Sequence, residues 1–370
     1  MEKKLRILVL TSESRMISNR LWGAARELID DLLVVGPDDT DESLPAGHIA
    51  LPATGLRSNK LTFWHLQGLS GVIKGFKPDL IHVNNELWGV TVLEVASFGR
   101  PFVVLGAENL FHGEGVIARI RMGIAERIIP RLAGYASWNI AGVRHVAARR
   151  EASFPELVCP AIIPPSEFVP SSWQPHEAGQ PRKLLLIGRL EEEKGFDKVI
   201  QAVGRLSDKG AYQIHLCGTG PQGEALQAQA DSLGVDLRRH GFVSPEEVAE
   251  LMTHMTCAVQ PSQTVTNWAE QFGRTVAEAM TVGLPCLVSD SGELPNVVND
   301  PECVFPESDV VALSEKIDWL CSSAERLTRK SLLQAAEANR WAPGPAAAAM
   351  VDFWRRCLAH HQQTCGLETK

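Results

Sequence analysis

The sequence predicts an α/β protein built from two Rossmann-like domains with parallel sheets, and three observations carry that prediction. The chain has 370 residues, too many for one ordinary core and enough for about two. Short β-branched apolar runs alternate with longer stretches of helical periodicity, and those runs are continuously apolar rather than alternating, as in strands buried on both faces of a helix-wrapped parallel sheet. Near the middle, residues 159–181 read CPAIIPPSEFVPSSWQPHEAGQP, a Pro- and Ser-rich linker.

The strand runs follow in order. LRILVL, DLLVVG, DLIHV and PFVVLG fall in the first half, KLLLIG, YQIHLCG, CAVQPS and PCLVSD in the second. The predicted domains are 1–165 and 166–345. A last helix, 346–361, begins after Pro345 and carries Met350, Phe353, Trp354 and Cys357 at helical spacing, a stripe that must pack on something. The opening run turns polar after Thr11 and is read as a strand, and no stretch approaches a membrane span. The eight cysteines show no C-x-x-C spacing and mostly sit in apolar runs, which points to reduced core residues in a cytoplasmic protein. A net charge of -8 argues against a nucleic-acid partner. The acidic stretch PDDTDES at 37–43 contains D-x-D but reads as a solvated loop.

Chemistry is concentrated in the second half. After the run ending at Ile187 come Gly188 and Arg189, then Lys194 before an amphipathic helix; Arg and Lys at such a strand end could clamp a diphosphate, and an exposed turn with local ion pairs is the competing reading. Gly218 and Gly220 leave the next strand in a G-x-G-P turn, with Pro221 suited to a first helical turn. A short strand ending at Val243 precedes Ser244 and Glu247, a capping box. In EQFGRTVAEAM, Glu270 and Glu278 stand eight positions apart, roughly 80° apart on one helix. A helix starting after Gly273 would instead leave Glu270 on a loop. It would also aim the N–H groups of Arg274 and Thr275 at an anion and place Glu278 about one turn in, where it can accept hydrogen bonds from a vicinal diol. A diphosphate flanked by sugar hydroxyls and a ribose is a nucleotide sugar.

Residues 183–298 resemble the donor domain of retaining glycosyltransferases of the GT-B fold, glycosyltransferase family 4. The matching pieces are G-R-L…K-G at 188–195, G-x-G-P at 218–221, G-F-V at 241–243, the pair Glu270 and Glu278, and EAMTVGLPCLVSDSGELPNVV; the linker IIPPSEFVP is also similar to the family's. The resemblance implies two domains facing a central cleft, with the last helix crossing back to the first. It also implies that Arg189 and Lys194 hold the donor diphosphate, Glu278 the ribose, and Glu270 the transferred sugar. Phe272, Gly273, Arg274 and Thr275 would line the sugar-phosphate pocket, and the base would lie near Gly241, Phe242 and Val243. Two cations and helix N–H groups would then stabilise the leaving group, with no metal and no other cofactor required.

The first half departs from the family. Where members carry a Gly pair after the first strand, this chain has TSESRMISNRLWGAAREL, in which Arg15 or Arg20 could replace the phosphate contact or simply face solvent. Glu108 stands where the family has a histidine, with His112 four residues on; Glu108 could contact acceptor or sugar, or act as a base. His82 is expected in the core and Glu86 at a strand end near the acceptor. The arginine-rich stretch 117–132 is either a solvated basic face or one that touches an anionic membrane surface or acceptor. The implied activity is hexosyl transfer from a nucleoside diphosphate sugar, such as a UDP-sugar, to an unidentified hydroxyl acceptor (metabolite, glycan or lipid-linked sugar). Alternatives are a nucleotide-sugar epimerase or hydrolase, or an inactive nucleotide-sugar-binding subunit.

Overall fold

The computed structural model describes residues 5–11, 15–37, 47–54, 65–107, 116–150, 154–159, 168, 173–175, 179–266 and 268–367. The D-x-D stretch, Glu108, His112 and most of the linker lie outside the described residues. The chain divides into two compact units, Met1–Ile163 with Ala342–Lys370, and Pro164–Trp341.

In the first unit the strands are β1 (Arg6–Leu10), β2 (Asp31–Pro37), β3 (His48–Leu51), the short β4 (Ala53–Thr54) and β5 (His65–Leu66), then β6 (Leu80–Asn84), β7 (Phe102–Gly106), β8 (Gly134–Ser137) and β9 (Glu156–Val158). Seven of them form a parallel sheet in the order β3-β2-β1-β6-β7-β8-β9, while β4 and β5 pair separately as an antiparallel ribbon. The continuous apolarity of β1 has its reason in the two cores. Ile7 and Val9 enter the core on one face with Leu21, Trp22 and Ala25, and Leu8 and Leu10 enter the core on the other with Leu69, Ile73 and Val92.

The second unit holds β10 (Arg182–Ile187), β11 (Tyr212–Cys217), β12 (Asp236–Gly241), β13 (Cys257–Gln260), β14 (Cys286–Ser289) and β15 (Val304–Phe305), all parallel, in the order β12-β11-β10-β13-β14-β15. Each sheet thus winds outward from its first strand in both directions, the doubly wound order, and reverses beside that strand: β1 against β6, β10 against β13. At such a reversal the crossovers leave in opposite directions and open a crevice beyond the carboxyl ends.

The terminal helix belongs to the first unit. It covers Pro343–Leu367, starting two residues before Pro345 because a proline in the first turn lacks an N–H that no carbonyl would have received. Met350, Phe353, Trp354 and Cys357 are all fully buried in the core that contains Trp22. The Trp354 and Trp22 rings stack with centroids 6.1 Å apart. Trp354 Nε1 donates to His82 Nδ1 at 3.1 Å, and His82 Nε2 lies 2.6 Å from Asn84 Oδ1. Burial lowers the His82 pKa to about 4, against the smaller opposing effect of Asn84, so the ring is neutral, a core histidine as its position on β6 suggests.

Two further boundaries differ from expectation. β12 ends at Gly241, not Val243, because Gly241 turns the chain outward at φ 69°. The helix after G-x-G-P begins at Gly223, leaving Pro221 in the preceding turn, where Gln222 N donates to Leu190 O at 3.0 Å. The Ser244–Glu247 capping box is present. Seven cysteines are free and buried; Cys365 has no described side chain.

Candidate active site

The loops leaving β10 and β13 meet where the second sheet reverses. The chain from β10 makes a 3-10 turn, Glu192–Lys194, that closes at Gly195 against the backbone of Pro261 just past β13. A Cβ on Gly195 would stand 2.2 Å from Pro261 O. That packing delivers Lys194 to the end of β13, where its Nζ donates to Glu270 Oε2 at 2.7 Å, both side chains only 13% exposed. Ser262 Oγ donates to the same oxygen at 3.0 Å, Gln260 Nε2 to Ser262 Oγ at 2.8 Å, and Thr275 Oγ1 to Gln260 Oε1 at 3.3 Å. Lys194 Nζ also lies 4.7 Å from the centre of the Trp268 ring. The Glu270 carbonyl is held from the far side by Glu293 N at 3.0 Å. A chain of hydrogen bonds therefore runs from Thr275 through Gln260, Ser262 and Glu270 to Lys194.

The helix Arg274–Val282 starts at Gly273, whose φ of 84° suits only glycine and whose missing Cβ leaves room for Leu294. No side chain caps it, and Val276 is the first amide bonded back, to Gly273 O at 3.0 Å. The amides of Arg274 and Thr275 have no intrahelical acceptor, which with the helix dipole makes this end attractive to an anion. Glu278 sits one turn in and buried; burial raises its pKa to about 7, and Arg274, whose Nε lies 3.7 Å from Oε1, opposes the rise. Phe272 is buried with its ring edge-on to Trp341 at 5.7 Å, so only its backbone is available to a ligand.

Arg189 stands apart from this network. Its side chain is 63% exposed and pairs with Glu193 at 3.4 Å and Glu191 at 4.0 Å. Below it the turns after β10 and β11 touch backbone to backbone: a Cβ on Gly218, at φ 140°, would fall 1.8 Å from Gly188 O, and one on Gly220 2.6 Å from Leu190 O. Phe242 is fully solvent-facing and Val243 half-buried. Among the described residues, no group of three or more His, Cys, Asp or Glu side chains is arranged to hold a metal ion.

In the first unit Glu86 follows β6, half-buried, and its Oε1 accepts from Ala107 N at 3.4 Å. Arg20 is exposed on the helix Arg15–Arg26, of which Arg15 is the first residue, its side chain outside those described. Asn84 Nδ2 donates to Thr11 Oγ1 at 3.3 Å, joining the carboxyl ends of β6 and β1 at the other sheet reversal. The sequence reading passed over Asn84, Gln260, Ser262 and Trp268. The available signal for the first three was a polar residue at or just beyond the carboxyl end of an apolar run; Trp268 gave none, because its role depends on the fold of the loop.

Residues 170–338, which lie within the second unit, match the family model of the glycosyl transferases group 1. The chain is 25% identical over 298 residues to the GDP-mannose-dependent alpha-(1-6)-phosphatidylinositol dimannoside mannosyltransferase of Mycobacterium tuberculosis, covering 73% of this chain and 72% of that protein. It is 32% identical over 114 residues to the 2-deoxystreptamine N-acetyl-D-glucosaminyltransferase of Niallia circulans, a match spanning 30% of this chain and only 28% of the relative. Among solved structures it is similar to sucrose-phosphate synthase from Thermosynechococcus elongatus, with TM-score 0.70, 17% identity, and 96% of this chain and 100% of that chain covered. It is also similar to Anabaena Alr3699/HepE in complex with UDP, with TM-score 0.65, 14% identity, and 99% and 100% covered. The fold is the two-domain Rossmann-like GT-B glycosyltransferase fold.

Proposed function

We propose that this protein is a retaining glycosyltransferase of the hexosyltransferase type, moving a sugar from a nucleoside diphosphate sugar to an acceptor hydroxyl without a metal ion. The observation that carries the reading is the largely buried Lys194–Glu270 pair beside the uncapped start of the helix Arg274–Val282, at the reversal of the second sheet. A buried cation held by a carboxylate is ready to receive a second anion, and a carboxylate among hydroxyl partners is ready to receive sugar hydroxyls. The diphosphate would lie on Lys194, the amides of Arg274 and Thr275, and Arg189 once it swings from Glu193. Glu270 would then accept from the sugar and Glu278 from the ribose diol.

The bond from the sugar C1 to the β-phosphate oxygen breaks, C1 bonds the acceptor oxygen on the same face, and the acceptor proton passes to the departing phosphate oxygen. Lys194 and Arg189 lower the energy of the charge that grows on that phosphate. Glu108 and His112 are proposed to contact the acceptor or the transferred sugar, and Arg15, Arg20 and Glu86 to line the acceptor side. The family match carries no acceptor over to this chain, since the two curated relatives named above are called by unlike acceptors. Because HepE was solved with UDP, UDP-sugars are the first donors to try. Free, buried cysteines suit a reducing compartment, and the reading places the protein in the cytoplasm. No helix of the described residues is long and apolar enough to cross a membrane.

The test is product formation from a library of nucleotide sugars and hydroxyl acceptors, followed by mass spectrometry and the anomeric proton coupling of the product. An α-linked product from an α-linked donor is expected, with turnover unchanged in EDTA. An inverted product, or an epimerised donor with no product, would refute the reading.

A further inference from the structure

The first turns of the helix Val116–Ile128 in the first unit expose aliphatic side chains, while Ile124 further along packs half-buried against the core. At about 100° per residue, Val116, Ile117, Ile120 and Ile124 share an arc of about 100°. Val116 is 62%, Ile117 66% and Ile120 58% exposed, whereas Ala125 on the other side is buried, as is Ile128 in the last turn. Arg127 falls within that arc and Arg119 beside it, both exposed. Among the described residues Arg119, Arg121 and Arg127 have no carboxylate partner; Arg121 lies instead over the Trp88 ring, 4.2 Å from its centre. Trp88 is two residues past Glu86, so this face borders the carboxyl edge of the first sheet.

Another exposed aliphatic pair on a helix, Leu332 and Leu333, lacks that charge: neighbouring Arg329 is tied to Glu302 at 3.2 Å. Residues 116–131 carry four arginines against one glutamate in a chain of net charge -8, so a negatively charged surface attracts this segment and repels the chain as a whole. Three aliphatic side chains on one helix fall far short of the roughly 800 Å² per partner of a stable protein interface. A bilayer accepts a small apolar ridge flanked by arginines.

We infer that this face docks on the surface of a lipid bilayer containing anionic headgroups, with Val116, Ile117 and Ile120 seated among the headgroups and Arg119 and Arg127 on lipid phosphates. The test is co-sedimentation of the full chain with vesicles of phosphatidylcholine mixed with phosphatidylglycerol, and with phosphatidylcholine alone. Binding is expected to the mixed vesicles, to weaken as salt is raised, and to fall at least ~10-fold in the double variant Ile117→Ser, Ile120→Ser. Arg119→Gln and Arg127→Gln should each lower it roughly fivefold. These positions are exposed, and an unchanged circular dichroism spectrum and thermal unfolding profile of the full chain in each variant verify that it folds. Absence of binding to mixed vesicles, binding indifferent to the variants, or self-association in sedimentation velocity that Ile117→Ser abolishes would each overturn the inference, the last by showing a second copy as the occupant. Since vesicle binding is read without turnover, its failure leaves the donor site untouched.

Discussion

Lys194 and Glu270 hold each other at 2.7 Å, so replacing one has two separable consequences. Lys194→Ala strands a largely buried carboxylate, which should cost about 3 kcal/mol of stability, and should also cut turnover at least ~100-fold by removing the leaving-group cation. Adding Glu270→Leu should recover much of the stability in a denaturant titration but none of the turnover. Glu278 gives a pH signature. Its pKa rises from 4.5 to about 7 on folding, so the folded state holds the proton more tightly. Its contribution is therefore full below pH 4.5 and is lost as pH climbs to about 7, an effect of order 3 kcal/mol. Urea midpoints should fall across that window, and Glu278→Gln should flatten the fall. If Glu278 takes the ribose diol as proposed, its ionised form is the acceptor and nucleotide affinity should rise through the same range. The helix start after Gly273, with Glu270 on the loop before it and Glu278 one turn in, was legible because a glycine and a helix end fix where those side chains go. The direct grip of Lys194 on Glu270 was not, since 76 positions separate them and only the packing of Gly195 on Pro261 brings them together.

Elements were most readable where both faces are buried. The strand runs in the sequence correspond to β1, β2, β6 and β7 and to β10, β11, β13 and β14, since covered strands are mostly apolar. A buried polar residue such as His82 on β6 needs partners, here Trp354 and Asn84. Less readable were β3, β8, β9, β12 and β15, short strands or strands near a sheet edge whose residues are partly polar or small: β12 reads DLRRHG, and only its Leu237 is buried. Helix starts slipped by a few residues at prolines, which tolerate both a turn and a first helical position. The terminal helix was visible as a stripe, but its partners were not, and they set its energetics. Trp354→Ala should cost about 3–5 kcal/mol in the first unit, while Trp354→Phe, which keeps a ring beside Trp22 but loses indole volume and the bond to His82, should cost less, about 2 kcal/mol. Separate thermal transitions followed by calorimetry would show both. In the second unit Lys330, fully buried, is gripped by Asp300 at 2.7 Å and Glu302 at 2.7 Å. Lys330→Ala leaves the largely buried Asp300 without its cation, while Glu302 keeps Arg329, and should destabilise that unit by about 3 kcal/mol, whereas Lys330→Met, which fills the space, should cost less.

At the level of the whole molecule, the second unit is one continuous stretch, 164–341, and the first is assembled from both ends of the chain. Residues 164–341 expressed alone should fold, whereas 1–163 without 342–370 should not, because Trp22 and the core around it lose Met350, Phe353 and Trp354. Two doubly wound sheets each bring a reversal, and the Lys194–Glu270 pair lies at the second. The central claim is that this reversal binds a nucleoside diphosphate through Lys194, and titration calorimetry of the full chain with UDP, GDP and ADP in EDTA tests it most directly. Saturable binding of at least one of them is expected, weakened at least ~10-fold by Lys194→Ala. Failure of all three to bind, or equal affinity in the variant, would contradict it.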